Sequence, residues 1–318
     1  MDRIALGIDL GGTRLRAALV DGQGALLARH EVPTDAEAGA EHVLGRMGDL
    51  AETLLDGVGH GSVVGMGVAC PGPLDTETGI ALGIPTLPGF SDFPLRARLQ
   101  ALFPFPVHVE NDGIAAAIGE WQFGAGRGFA HMLYVTVSTG IGGGVIADNR
   151  VLRGRKGMAA HIGHMTMVPD GALCACGNRG CFEAYGSGTA FTRRARERAL
   201  ACPETLLGHD GAGIDSRAVF SAARAGDELA KRLIAEEADI LGRGFTSLLH
   251  VFSPEIVVMG GGLSSEFEWL HPGIRACIDA RALPAFRDVE VVCAALGQNS
   301  GLAGAAALAF LGAAQSGG

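Results

Sequence analysis

The sequence predicts an α/β protein built as two related halves around a central cleft, and three observations predict it. A strand, a glycine turn and a second strand occur near residues 4–20 and recur near residues 132–147. A third glycine turn, Gly260-Gly261-Gly262, again follows an apolar strand. The length of 318 residues exceeds what one hydrophobic core usually holds, which favours two domains or one large α/β unit, and an apolar content of 48% is enough for a sizeable core.

The elements follow in order. Ile4 to Ile8 is a short apolar run, Asp9-Leu10-Gly11-Gly12-Thr13 turns the chain, and Leu15 to Val20 forms the returning strand. Glu41 to Leu55 places Val43, Leu44, Met47, Leu50, Leu54 and Leu55 on one helical face. Val63 to Ala69 reads as a buried strand. A strand at Val107 to Val109 runs into Glu110-Asn111-Asp112-Gly113 and an Ala-rich helix through Glu120. Met132 to Val137 is a strand broken by the turn Ser138 to Gly144, after which Val145 and Ile146 resume the apolar pattern. Ala218 to Phe252 is helical in pattern, and Ile256 to Met259 is the strand before Gly260. The expected domains are 1–113, joined by a returning C-terminal helix at about 301–318, and 114–300.

Composition narrows the function classes. A formal charge of −9 argues against general affinity for nucleic acid or anionic lipid, because a polyanion gains no counterion release from an acidic protein. Met1-Asp2-Arg3 leads straight into the first strand, which does not read as a secretory signal. The longest apolar stretch, Gly301 to Ala314, is short for a membrane span and mostly Ala and Gly. The expectation is a cytoplasmic protein with small polar partners. Of seven cysteines, Cys174, Cys176 and Cys181 share one loop while Cys70, Cys202, Cys277 and Cys293 are scattered. That is no disulfide framework. The scattered four read as small buried hydrophobes.

Glycine turns after strands suit phosphate chains, because backbone approaches a polyanion closely only where side chains are absent and turn N–H groups point outward. The sequence contains no G-x-x-x-x-G-K-[ST] and no G-x-G-x-x-G, so neither a P-loop nor the usual dinucleotide fingerprint is present. Asp9-x-Gly11-Gly12-Thr13 resembles the first phosphate motif of the actin, hexokinase and Hsp70 superfamily. Ser138, Thr139, Gly140 and Gly142 fall in a segment resembling the second, and Gly260 to Gly262 resembles the adenosine motif. The resemblance implies two actin-like (ribonuclease H-like) domains that bind ATP, with Asp9 holding Mg²⁺ through water and Thr13 and the turn amides on phosphate oxygens. Such chemistry requires positioning and charge neutralisation more than covalent help.

Glu110-Asn111-Asp112 resembles a family segment E-N-D-x-x-A-A, whose aspartate takes the proton of the attacking sugar hydroxyl. The resemblance makes Asp112 the base and Asn111 a sugar contact. Asn-Asp-Gly also suits a turn and a helix cap. His164, Cys174, Cys176 and Cys181 supply four ligands within one short stretch, the number that a closed tetrahedral structural zinc demands.

Gly157 to Glu183 resembles the signature of the ROK family (repressor, open reading frame, kinase), G-x-x-G-E-x-G-H followed by C-x-C-G-x-x-G-C-x-E. With the phosphate motifs, the resemblance runs from about Ile4 to Gly304. It implies an ATP-dependent kinase of a hexose or N-acetylhexosamine hydroxyl, commonly a homodimer, with His164 both on zinc and near the sugar and Glu183 in the same pocket wall. Two positions depart from the pattern. His161 replaces the usual sugar-binding glutamate, and Thr86 replaces an asparagine in Ile84-Pro85-Thr86-Leu87-Pro88-Gly89. Neutral imidazole offers one donor and one acceptor where a carboxylate offers only acceptors, so His161 suits an acyl carbonyl. Bacterial N-acetylmannosamine kinases of the family carry the same H-I-G-H. That favours N-acetylmannosamine, with glucose and other hexoses (allose, fructose, mannose) as alternatives and a structural role for His161 still open. The family's repressors carry a DNA-binding module ahead of the phosphate motif, which here begins at Asp9, and a sugar sensor would be expected to lack Asp112 or the glycine turns. Both are present.

Overall fold

The computed structural model describes residues 3–58, 60–208 and 213–316. Met1 and Asp2, where the absence of a signal was read, and the last two residues of the expected C-terminal helix lie outside them. The elements run β1 (Ile4–Leu10), β2 (Arg14–Asp21), β3 (Leu26–Pro33), α1 (Ala40–Leu55), β4 (Val63–Cys70), β5 (Leu74–Asp75), β6 (Ile80–Leu82), β7 (Ser91–Phe93), α2 (Leu95–Gln100), β8 (Val107–Asn111), α3 (Asp112–Phe123), β9 (Met132–Val137), β10 (Ile141–Ala147) and β11 (Arg150–Val151). They continue with α4 (Glu183–Gly186), α5 (Gly188–Ala199), α6 (Ser216–Arg224), α7 (Glu228–Phe252), β12 (Ile256–Gly260), α8 (Phe267–Arg281), β13 (Glu290–Cys293) and α9 (Ser300–Ser316).

The chain packs as two compact units. One comprises residues up to 134, 144–160 and 294 onward; the other comprises 135–143 and 161–293. The first unit contains a five-stranded sheet of order β3-β2-β1-β4-β8, in which β1, β4 and β8 run parallel and β2 and β3 return antiparallel. A second sheet has the order β11-β10-β9-β12-β13. In the second, β10 and β11 pair antiparallel and β12 and β13 pair parallel, so both sheets combine antiparallel strands at one edge with parallel strands at the other.

One face of the first sheet buries Leu6, Ile8, Leu10 and Val68 against Val43, Met47, Leu50 and Leu54 of α1, whose i, i+3, i+4 spacing makes a continuous apolar stripe. The other face receives α9. This helix is nearly all Ala, Gly and Leu because it lies close against strands and α3: a Cβ on Gly67 would overlap the Ala305 carbonyl, and one on Gly304 would overlap that of Ala115. The apolar stretch that is too short for a membrane span is thus a close-packing surface. Among the described residues no helix is long and apolar enough to cross a membrane. The N-terminal end of α9 is fixed by Glu120, a fully buried carboxylate that accepts from the Ala295 and Leu296 amides and the Ser300 hydroxyl at 2.7 to 3.0 Å.

Two expectations about elements need correction. The second glycine turn ends at Gly140, and Gly142 to Gly144 lie inside β10. At Gly144 packing requires the absence of a side chain, since a Cβ there would stand 2.5 Å from that of Ala117 on α3. The helical pattern from Ala218 to Phe252 is two helices. Gly226, at φ +98°, breaks it, and Asp227 restarts it by accepting from the Ala230 amide at 2.7 Å.

Candidate active site

In the first unit the parallel strands decide which residues meet. Register places Asp9 on β1 opposite Ala69 on β4, and Ala69 opposite Glu110 on β8. The carboxyl ends of these strands, where open α/β sheets present ligands, therefore carry Asp9 and the Glu110-Asn111-Asp112 segment at one level. Gly11 turns the chain through its amide, which donates to the Arg14 carbonyl at 2.9 Å, leaving Gly12 and Thr13 at the surface of the turn. Thr86 covers the turn: its Cβ would lie 2.9 Å from a Cβ on Gly12.

Asn111 is the N-cap of α3. Its Oδ1 accepts from the Gly113 and Ile114 amides at 3.0 and 3.4 Å, so its amide nitrogen is the part that can still donate to a ligand. Asp112 opens the helix, its Oδ1 accepting from the Gly113 amide at 2.8 Å. The residue has an exposed edge, yet protein crowds its carboxyl, and desolvation raises its pKa to about 6, assisted by the Asp9 charge and opposed by the Gly113 amide. Desolvation also raises Asp9 against the pull of Arg16, whose guanidinium pairs with Asp9 Oδ2 and donates to the Gln298 carbonyl at 2.9 Å. Glu110 is buried and bound by Arg153 Nε at 3.1 Å, which makes it a support for the segment.

In the second unit Ser138, Thr139 and Gly262 line one cavity of about 610 Å³. Gly261 makes its wall possible. At φ +85° a side chain would be strained, and a Cβ would stand 2.5 Å from the Val137 carbonyl. Gly260 is buried at the end of β12. The remaining wall comes from α5 and α6, including Arg193, Arg196 and Phe220, with Leu263 beyond Gly262. Sequence reading missed these residues. Nothing in a short amphipathic helix marks which face meets a cavity, although Ser187 and Asp215, which cap the two helices through the Ala190 and Ala218 amides, are legible start signals.

The cysteine loop closes on itself as its spacing requires. His164, Cys174, Cys176 and Cys181 place one ligand atom each within 4.8 Å of one another. Cys176 Sγ lies 3.7 Å from Cys181 Sγ, and Cys174 Sγ 3.7 Å from His164 Nδ1. Four ligands about 2.0–2.3 Å from a tetrahedral zinc are separated by roughly 3.5–3.8 Å, so the donor set fits that ion in number, chemistry and spacing. Burial raises the Cys174 and Cys181 thiols, while the Asn178 backbone amide lowers Cys176. Glu183 joins this loop to the glycine turn: its Oε2 accepts from the Ile141 amide at 2.9 Å and its Oε1 faces Cys174 Sγ at 3.7 Å. The His161 and His164 rings are 6.4 Å apart, with His161 at the surface.

The structure thus gathers the sequence-derived residues into three groups. Asp9, Gly11 to Thr13, Thr86, Asn111 and Asp112 form the first, Ser138, Thr139 and the Gly260 turn the second, and His161, His164, the cysteines and Glu183 the third. Gly140 lies against Glu183, whereas Gly142 is within a strand.

The pattern of the ROK family matches residues 5–310. The chain belongs to the ROK family. Among its ROK relatives, the glucokinase of Streptomyces coelicolor is 37% identical over 316 residues, covering 96% of this chain and 97% of the relative. The N-acetylmannosamine kinase of Escherichia fergusonii is 33% identical over 306 residues, covering 96% and 97%. The solved ROK glucokinase of Streptomyces griseus, in complex with glucose and AMPPNP, superimposes with a TM-score of 0.84 at 35% identity and covers 97% of this chain and 99% of that one. The fold is accordingly the actin-like ATPase fold of ROK proteins.

Proposed function

We propose that this ROK protein is an ATP-dependent kinase that phosphorylates a hexose-type sugar, with the 6-hydroxyl as acceptor. The observation that carries the reading is the placement of Asp112 at the first turn of α3, directly after the strand end at which register sets Glu110 level with Asp9. In this reading Asp112 accepts the hydroxyl proton as the sugar oxygen bonds the γ-phosphorus and the bond to ADP breaks. Asp9 holds the Mg²⁺ that accompanies ATP, and the turn at Gly11 to Thr13 and residues Ser138 and Thr139 contact phosphate oxygens. The cavity beside Gly262 receives the adenosine. For Asn111, Thr86, His161, His164 and Glu183 a sugar-contact role is supported by their positions in the family's motifs. His164, Cys174, Cys176 and Cys181 hold a structural zinc that leaves no position for a reactant.

A base with a raised pKa gives the reaction a readable pH dependence. Asp112 must be ionised to accept a proton, and its pKa stands at about 6. At saturating Mg·ATP, kcat/KM for the sugar is expected to be level above about pH 7 and to fall about tenfold per unit below about pH 5. A plateau persisting to pH 4.5 would remove Asp112 from this role.

For the sugar itself, N-acetylmannosamine is favoured by His161, whose imidazole can donate to an acyl carbonyl where a glutamate carboxylate cannot. Glucose is the second reading, favoured by the greater identity to the Streptomyces coelicolor glucokinase. The deciding experiment measures ADP release with Mg·ATP against glucose, mannose, allose, fructose, N-acetylglucosamine and N-acetylmannosamine. If N-acetylmannosamine is selected, His161→Glu should shift kcat/KM towards glucose by about tenfold or more. Selection of glucose would make His161 a tolerated replacement. Turnover of no sugar would favour the regulator or sensor reading.

A further inference from the structure

The helix α4, four residues long, is too short to hold its own conformation, yet three parts of the second unit converge on it. At its start, Glu183 bonds the Ile141 amide and faces Cys174. Within it, the Tyr185 hydroxyl accepts from the Ala172 amide at 2.8 Å, at the root of the cysteine loop. From α5, Arg193 Nη2 donates to the Ala184 carbonyl at 3.0 Å and Arg194 Nη1 donates to that of Tyr185.

Arg194 is itself held from behind. Its Nη2 pairs with Oε2 of Glu237 on α7, a carboxylate with 0% exposure, while the Arg194 side chain is 12% exposed and lies over the Phe191 ring. Burying two charges costs desolvation that their attraction rarely exceeds, so such a pair seldom stabilises more than two apolar side chains of equal volume would. Its presence calls for another role, and the geometry supplies one. A guanidinium fork can donate to a carbonyl and a carboxylate simultaneously, in fixed relative directions, whereas a lysine ammonium is a point charge on a flexible stem. Arg194 also stays out of the adenosine cavity, which Thr192, Arg193 and Arg196 of the same helix line.

We infer that Arg194, held by Glu237, is a positioning residue for the sugar side of the site: it ties the end of α4 to α5 and α7 and thereby fixes Glu183 and the root of the cysteine loop. The inference rests on the reading above that Glu183 contacts the sugar and the loop holds zinc. It implies a larger effect on the sugar than on ATP, because the tether ends at Glu183 and the root of the cysteine loop and reaches the glycine turn only through the contact of Glu183 with the Ile141 amide.

The test compares the zinc-loaded wild-type protein with Arg194→Lys and with the double variant Arg194→Met/Glu237→Met, using the sugar that the substrate panel selects. Arg194→Lys keeps a charge opposite Glu237 and loses the fork. The double variant removes both charges at similar volume and leaves no buried ion unpaired. Both are expected to stay folded, to raise the sugar KM about tenfold while leaving the ATP KM within about twofold, and to release zinc faster to a colorimetric chelator. Wild-type sugar KM and zinc release in both variants would overturn the inference. So would parallel rises in both KM values that track a fall in unfolding temperature, since that is what a merely structural pair produces. A wild-type protein that lacks zinc or turns over no sugar would overturn the functional reading, and this inference with it.

Discussion

Asp112→Asn is expected to lower kcat by about 10³-fold while changing sugar affinity by less than about threefold. The substitution keeps the shape of the side chain and an Oδ1 that can accept from the Gly113 amide, as Asp112 does at 2.8 Å. The Asn111 cap on the Gly113 and Ile114 amides is untouched, so α3 should start where it does now. Only the capacity to take a proton is lost. The variant should also unfold at a higher temperature than the wild type near pH 7. Because desolvation raises the folded pKa to about 6 from the ordinary 3.8, the folded protein favours the neutral carboxyl. The stability that this group contributes is fully present below its unfolded pKa and is lost as pH rises through about 6, so at pH 7 the ionised form is disfavoured and a neutral amide relieves it. A combination of lost turnover, retained sugar binding by calorimetry and raised thermal stability identifies an aspartate kept for chemistry at the expense of stability. Residual kcat within tenfold of wild type would refute the assignment.

Cys181→Ser is expected to have the second largest effect, acting on stability and sugar affinity together. Cys181 is fully buried and 3.7 Å from Cys176 Sγ, so a serine oxygen there is a shorter and harder ligand in a site of fixed size. Losing the ion would release the Cys174 to Cys181 loop, and with it the contact between Cys174 and Glu183. The unfolding midpoint should fall on the order of 5–10 °C, and the sugar KM should rise more than about tenfold with a smaller change for ATP. Bound zinc measured by elemental analysis, in the wild type and the variant, ties these losses to the metal. A wild-type protein purified without zinc, yet with unchanged sugar KM and midpoint after chelation and repletion, would remove zinc from the account.

How much of this was legible beforehand depends on sequence distance. His164 and the three cysteines fall within a single stretch, and loop closure over so few residues brings their ligand atoms together almost regardless of the rest of the chain. Asp9-x-Gly11-Gly12-Thr13 and Glu110-Asn111-Asp112 are likewise local, because a strand end followed by a turn or a helix cap is decided by its own residues. The turn after β9 is shorter than expected because three consecutive glycines look like a turn in sequence, whereas here they lie in β10 and Gly144 gives α3 room to pack. The break within the helical pattern of Ala218 to Phe252 is not marked by apolar spacing, because backbone conformation at Gly226 and the cap at Asp227 set it rather than hydrophobicity.

The sequence by itself determined the groups available: a cluster of one histidine and three cysteines, glycine turns after strands, and an aspartate at a helix start. Tertiary structure alone decided which of them share a site. Asp9 and the Glu110-Asn111-Asp112 segment reach the same end of the sheet only because β4 pairs in register with both β1 and β8. The cavity beside Ser138 and Gly262 takes its walls from α5 and α6, Glu183 is joined to the glycine turn through the Ile141 amide, and Arg194 pairs with Glu237 of α7. Each of these contacts spans tens of residues, and its partners carry no periodicity or spacing that marks them as a pair. The physical reason is that local conformational preference selects elements, whereas burial and hydrogen-bond satisfaction across the whole fold select their neighbours.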